Sequence, residues 1–156
     1  MIKIRYATIA DLPVIQKLNS MLFEKEYKEY DKSLDLEWPF GKTGEAYFKS
    51  RILGKNSCVL VAEQGEIIGY LSGGIVNGEN YRKIKKFAEI EHTFILKDYQ
   101  RKGIGTKMSQ TFIDWCKKKK VEIIKVSATA QNKEAIDFYK KNGFKEYVVL
   151  LEKNMK

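Results

Sequence analysis

Cysteine, histidine and proline are scarce in this chain of 156 residues: two Cys, one His and two Pro. Cys58 and Cys116 stand far apart and outside any C-x-x-C pair. That excludes a disulfide framework and a His/Cys zinc site, so no metal is expected. No apolar run approaches the roughly 18 residues that cross a membrane. The opening Met1-Ile2-Lys3-Ile4-Arg5 alternates apolar and basic residues and lacks the apolar block of a signal peptide. No repeat, linker or low-complexity tract is visible. These absences argue against a membrane protein, a secreted disulfide scaffold and a disordered tail. The expectation is one domain over residues 1–156, cytoplasmic, with no membrane partner.

What is present supports a packed core. Hydrophobic residues make up 44% of the chain and charged residues 31%, with nine Tyr, eight Phe and two Trp. The net charge of +9 is unevenly placed. Residues 1–96 hold 14 Lys/Arg against 13 Asp/Glu, and residues 97–156 hold 15 against 7. A basic C-terminal part suits nucleic acid, a membrane surface or a small polyanion. No helix-turn-helix, zinc finger or RNP-like string accompanies it, so no nucleic acid partner is expected. The run Lys117–Lys120 also reads as a solvated helix end, where lysines favour the negative end of the helix dipole. Residues 24–37 are biased the other way: Glu24, Glu26, Glu29, Asp31, Asp35 and Glu37 face only Lys25, Lys28 and Lys32. That segment is either a solvated helix or an acidic mouth for a cationic substrate.

Periodicity places the elements. Ile2, Ile4 and Tyr6 alternate as in a strand. Thr8 and Asp11 resemble a capping arrangement before a helix with Pro13 in its first turn and Leu12, Ile15, Leu18 and Leu22 on one face. A second helix is expected around residues 45–52. Residues 57–62 and 67–76 read as a hairpin, and 87–96 as a further strand. Ile104, Met108, Phe112 and Trp115 mark a helix over 103–119. A β-branched strand over 121–128 follows, then a helix over 132–141 stopped by Asn142-Gly143, and a final strand over 144–152. Hairpins followed by strand–helix crossovers predict one mixed α/β sheet.

Two strings carry chemistry. The first, Gln100-Arg101-Lys102-Gly103-Ile104-Gly105-Thr106, follows an expected strand and opens an expected helix. Glycines there let several backbone N–H groups converge, and the helix N-terminus adds positive potential, which together hold an anion such as pyrophosphate. Arg101, Lys102 and Lys107 add side-chain charge. The string fits neither the Walker pattern nor the dinucleotide pattern. The second is Asn132-Lys133-Glu134-Ala135-Ile136-Asp137-Phe138-Tyr139-Lys140-Lys141-Asn142-Gly143-Phe144.

Taken together, these strings resemble the [QR]-x-x-G-x-[GA] loop and the N-x-x-A-x-x-F-Y-x-x-x-G-F motif of the GNAT superfamily of N-acetyltransferases. The resemblance is strong from about residue 87 to 144 and rests on element order alone over 1–76. It implies a mixed, largely antiparallel sheet with helices on both faces. It also implies a cofactor cleft where the strands at 87–96 and 121–128 splay apart. Acetyl-CoA would be the co-substrate. Its pantetheine arm would lie along Phe94, Ile95 and Leu96, its pyrophosphate on Gln100, Arg101, Lys102, Gly103, Ile104, Gly105, Thr106 and Lys107, and Asn132 would bond the arm. Asn132 also reads as a helix N-cap, a role compatible with the first.

The same resemblance implies the catalytic groups. Tyr139 stands where many members keep the general acid for the departing thiolate; the competing reading is a packing tyrosine beside Phe138. Glu91, twelve residues before Gly103, resembles the glutamate that accepts the amine proton through a water in diamine-type members. Glu89 fits the histone-type position better. His92 points away from both in a regular strand. An N–H at a bulge near Ile95 would face the tetrahedral oxyanion. Ser127 stands where ribosomal-protein acetylating members carry a glutamate, which argues against their mechanism and against N-terminal protein acetylation. The acceptor would be a small-molecule or peptide amine, cationic or lysine-like, drawn by the acidic segment and by Tyr27, Tyr30 and Trp38. A homodimer is compatible with the family. Alternatives are a non-catalytic acyl-CoA-binding sensor and a nucleic-acid-binding module.

Overall fold

The apolar spacing in residues 104–115 becomes one buried helix face. In the computed structural model, which describes all residues 1–156, helix α3 (Ile104–Lys118) buries Ile104, Met108, Phe112, Trp115 and Cys116. They pack on one face of a sheet whose strands are β1 (Lys3–Tyr6), β2 (Ser57–Gln64), β3 (Glu66–Val76), β4 (Phe87–Ile95) and β5 (Ile123–Val126), adjacent in that order. The first four strands pair antiparallel, and β5 joins β4 in parallel. Alternation along β2 splits the core in two. Leu60 and Ala62 join the α3 side. Val59 and Val61 point to the other face, against Leu12, Ile15 and Leu18 of α1 (Leu12–Glu29) and Phe48 of α2 (Lys42–Leu53). A strand covered on both faces reads as a continuous apolar run, as Cys58–Ala62 does. The expected class, a mixed and largely antiparallel sheet with helices on both faces, is the one observed.

Local chemistry sets the entry to α1. The Asp11 carboxylate accepts from the Thr8 N–H at 2.8 Å and from Arg5 Nη1 at 2.8 Å. A 3-10 turn over Ile9–Asp11 precedes the helix. Further along, α4 (Lys133–Lys141) starts at Asn132, whose Oδ1 accepts from the Ala135 N–H at 3.1 Å. It ends at Asn142 and Gly143, with Gly143 at φ 93°, the left-handed ending read from the sequence.

Two irregularities of β4 position the site. Ser72 pairs with His92 while Gly73 pairs with Ile90, so Glu91 is an extra residue in β4, a β-bulge. In addition, β4 and β5 pair only from Phe87↔Ile123 to Ile90↔Val126 and then part.

Two boundaries differ from expectation. β5 is four residues long, because the β4–β5 ladder stops at the split. No strand forms over 144–152. A strand needs a hydrogen-bonding neighbour, and residues 145–156 make no backbone–backbone hydrogen bond at all.

Candidate active site

The glycine loop leaves its N–H groups free. Lys107 donates to the Gly103 carbonyl at 3.1 Å, but the N–H groups of residues 101–106 meet no backbone carbonyl. Gly103 sits at φ 81° as the residue before α3, and a Cβ there would meet nothing within 4 Å. Arg101 is also left-handed, at φ 62°. A run of unpaired N–H groups at a helix start, over open space, fits an anion, and the residues present therefore fit a pyrophosphate. Gly105 has a second task. A Cβ there would stand 3.2 Å from Phe138 Cζ and 3.4 Å from Ile95 Cδ1, so its absence lets α4 approach the loop.

From this loop a cleft of about 1100 Å³ runs between the separated strands to α1. One wall is Ile90–Ile95 of β4, and the other is Val126–Thr129 with Asn132, Ala135, Phe138 and Tyr139. Leu96 donates its N–H to the Ile68 carbonyl of β3 at 2.9 Å. By alternation along an antiparallel strand, the N–H groups of Ile95 and Thr93 point away from β3, into the gap. The Ile95 carbonyl accepts from Gln100 Nε2 at 2.8 Å. Gln100 thus fixes the Ile95–Leu96 peptide and ties the loop to the strand end. The bulge itself lies at Ile90–His92 and not near Ile95.

Tyr139 lines the cleft at the split. Burial raises its phenol above the ordinary value, with the Thr93 hydroxyl pulling the other way. Thr93 Oγ1 has no hydrogen-bond partner in the protein, so its influence falls short of a bond of standard geometry. The Tyr139 ring meets Phe138 and Phe144 edge-on at 5.1 and 5.6 Å. Asn132 spends Oδ1 on its helix cap and keeps Nδ2 as a donor.

At the α1 end, the bulge turns both Glu91 and His92 to the cleft, which corrects the regular-strand expectation that His92 points away. The Glu91 carboxylate is held by Arg51, whose Nε lies 2.8 Å from Oε1 and whose Nη2 donates to Oε2 at 2.8 Å, and by the Tyr47 hydroxyl at 2.7 Å. His92 stands among Phe23, Trp38, Tyr47 and Phe48, with centroids 5.4–6.0 Å away. Burial pushes its imidazole down to about 4, opposed by the Glu91 charge. Behind it, buried Asn19 donates to Tyr70 Oη at 2.7 Å and places Nδ2 3.4 Å from His92 Nδ1. Glu26, raised by burial, closes this end with Leu22, Phe23 and Leu34.

Of the residues expected at the site, Glu91, Phe94, Ile95, Gln100, Arg101, Gly103, Gly105, Thr106, Asn132 and Tyr139 line the one cleft. Glu89 does not; it sits half-buried beside Lys125, and burial first and the Glu91 charge second raise it. Ile104 is core, Leu96 packs between the two cores, and Lys102 and Lys107 stand outside the cleft wall. The acidic segment contributes Glu26 alone. Asp31 and Asp35 bond nearby N–H groups in their own turns, and Glu29 pairs with Lys25. Tyr27 carries Lys32 on its face. The sequence reading missed Tyr47 and Arg51, which share a helix face at i, i+4 on α2.

Comparisons with known proteins bear on the family and the fold. A family model described as Acetyltransferase (GNAT) family matches residues 15–144. An uncharacterized N-acetyltransferase of Methanocaldococcus jannaschii is 30% identical over 130 residues, 83% of this chain and 56% of that protein; the chain thus spans little more than half of that relative's length. An N-alpha-acetyltransferase of Sulfurisphaera tokodaii is 27% identical over 95% of this chain and 83% of its own. The PaiA N-acetyltransferase of Thermoplasma acidophilum, solved in complex with coenzyme A, superposes with a TM-score of 0.78 at 22% identity, over 93% of this chain and 90% of that one.

Proposed function

The chain belongs to the GNAT acetyltransferase family, and from that premise we propose that it moves the acetyl group of acetyl-CoA to a primary amine on a small cationic or lysine-like acceptor. The observation that carries the reading is the continuity of one cleft. It joins an anion cradle of free N–H groups to a chamber holding Glu26, Glu91 and a cluster of aromatic rings, and the β4–β5 split lies between them.

Acetyl-CoA supplies an activated acyl thioester. The N–H groups of residues 101–106, with Arg101, hold the pyrophosphate, and the open edge of β4 takes the pantetheine arm by strand-like hydrogen bonds, aided by Asn132 Nδ2. The acceptor's ammonium enters from the α1 side. Glu26 and Glu91 attract it there, and the aromatic faces of Phe23 and Trp38 suit its alkyl and cationic parts.

The amine must be neutral to attack. Glu91 takes its proton through a water; Arg51 and Tyr47 hold that carboxylate in one orientation while a lone pair stays open to the cleft. The Ile95 N–H, on the open edge of β4, faces the developing oxyanion. Tyr139, buried and protonated, gives its proton to the departing thiolate. Holding amine and thioester side by side supplies much of the rate by proximity. Burial pushes both Cys58 and Cys116 up to about 12, and neither lines the cleft, so attack is direct.

Initial rates over a grid of both substrates test this. A ternary complex gives intersecting reciprocal lines. Parallel lines, the mark of a covalent acyl-enzyme, would overturn the direct route.

A further inference from the structure

Four carboxylates line the cleft, and their surroundings differ. Glu91 is held by Arg51 and Tyr47. Glu134 faces Arg101 at 3.6 Å, and Asp137 is exposed to water. Glu26 is half-buried, and neither a hydrogen bond nor an ion pair reaches its carboxylate. The neighbouring cation, Lys25, stands 3.7 Å from Glu29 instead. Burial raises Glu26 above its ordinary value, with Lys25 pulling the other way and Asp31 adding to the rise. A shielded carboxylate without a partner costs free energy that a bound cation would recover.

Helical spacing sets its aim. Leu22, Phe23 and Glu26 stand at i, i+1 and i+4 on α1, and all three line the cleft. Leu34 adds a further apolar wall. The Phe23 ring meets His92, the residue next to Glu91, edge-on at 6.0 Å. The path from Glu91 to Glu26 therefore runs over the His92 and Phe23 rings, and its flanks are apolar.

The two carboxylates have different tasks. Glu91, balanced by Arg51, adds no net charge to the chamber and serves the attacking amine, which must be neutral. Glu26 is left with its charge unanswered, which suits a group that stays protonated throughout.

We propose, on the basis of the acetyl-transfer reading above, that Glu26 determines acceptor specificity by binding a second, non-attacking cation of the acceptor. The acceptor is then a dication whose two charges are joined by an apolar stretch. A polyhydroxylated amine finds no partners for its hydroxyls along Leu22, Phe23 and Leu34. A monoamine leaves Glu26 unpaired.

Calorimetric titration of the protein–coenzyme A complex with α,ω-diaminoalkanes, and with n-alkylamines of the same carbon count, reads this without turnover. The diamine should bind at least about tenfold more tightly, the worth of one hydrogen bond to a charged group. E26Q should erase that difference, and E26K should favour the ω-amino acid of the same length. Gln keeps the size of Glu and loses no partner at this position, and circular dichroism should show E26Q folded as the wild type. Absence of diamine binding, equal affinities in the wild type, an E26Q protein that weakens both amines alike, or an E26K protein that still prefers the diamine would overturn the proposal. In turnover the same preference should appear in KM and not in kcat. A diamine preference that E26Q erases, without any thiol release from acetyl-CoA, would support the role of Glu26 and refute acetyl transfer.

Discussion

Arg51 grips Glu91 at two points across forty residues of sequence: Nε stands 2.8 Å from Oε1, and Nη2 donates to Oε2 at 2.8 Å. Both side chains are mostly shielded, about 20% exposed, and the Tyr47 hydroxyl completes the set. A carboxylate held this way has its orientation chosen for it, and the bulge at Glu91 turns it to the cleft.

Arg51→Met removes that grip and leaves a partly buried carboxylate short of donors. A cost of about 2 kcal/mol is expected. Urea unfolding of the two proteins measures it. A change below about 0.5 kcal/mol, the range of an ordinary surface substitution, would show that the pair does not order the site.

Glu91→Gln and Glu89→Gln separate two carboxylates that the sequence alone leaves in competition. Glu91 lines the cleft and Glu89 does not. Turnover should fall about 100-fold for Glu91→Gln, the typical worth of a positioned general base, and change little for Glu89→Gln. The reverse ranking would move the base to Glu89.

Much of this was legible in the sequence, and the parts that were not share a cause. The glycine loop, the Asn132 cap, the α3 face and the Gly143 stop are local patterns, each fixed by residues within a turn or two of one another. The Arg51–Glu91 pair joins elements far apart in the chain, so no spacing announces it. The aspect of His92 depends on one extra residue in β4, and a strand read by strict alternation misplaces everything on one side of a bulge. Residues 144–152 do read as a strand, but pairing requires an edge within reach, which composition does not reveal.

Tyr139→Phe and Gly103→Glu should fail in different ways. Removing the phenol hydroxyl takes away a proton donor and should cut turnover about 100-fold, while calorimetry shows coenzyme A affinity nearly intact. A glutamate at position 103 occupies the open space of the cradle with a negative charge, on a backbone at φ 81° that also costs about 1 kcal/mol. Coenzyme A binding should be lost in a folded protein. Unchanged turnover in the first variant, or unchanged affinity in the second, would refute the corresponding role.

His92 makes stability depend on acid. Its imidazole titrates near 6.5 when unfolded and at about 4 when folded, so the unfolded chain binds more protons in between. The stability tied to neutral His92 is complete above about pH 6.5. It drains away as pH falls toward 4, by at most about 3 kcal/mol. Because other groups also titrate there, the informative quantity is the difference from His92→Phe, which keeps a ring among Phe23, Trp38, Tyr47 and Phe48. That difference should shrink or reverse in favour of the variant as pH drops from 7 to 4. A gap independent of pH would mean that His92 is not held neutral.

The most direct test is release of free thiol from acetyl-CoA by the purified, folded protein in the presence of polyamines, aminoglycosides, amino acids, and lysine-bearing or free-N-terminal peptides, each assayed separately. Release that depends on a cationic small amine or a lysine side chain, and that is lost in Gly103→Glu, is the predicted result. No amine-dependent release across the panel, from a protein that binds coenzyme A, would contradict the account and favour a binding domain without catalysis.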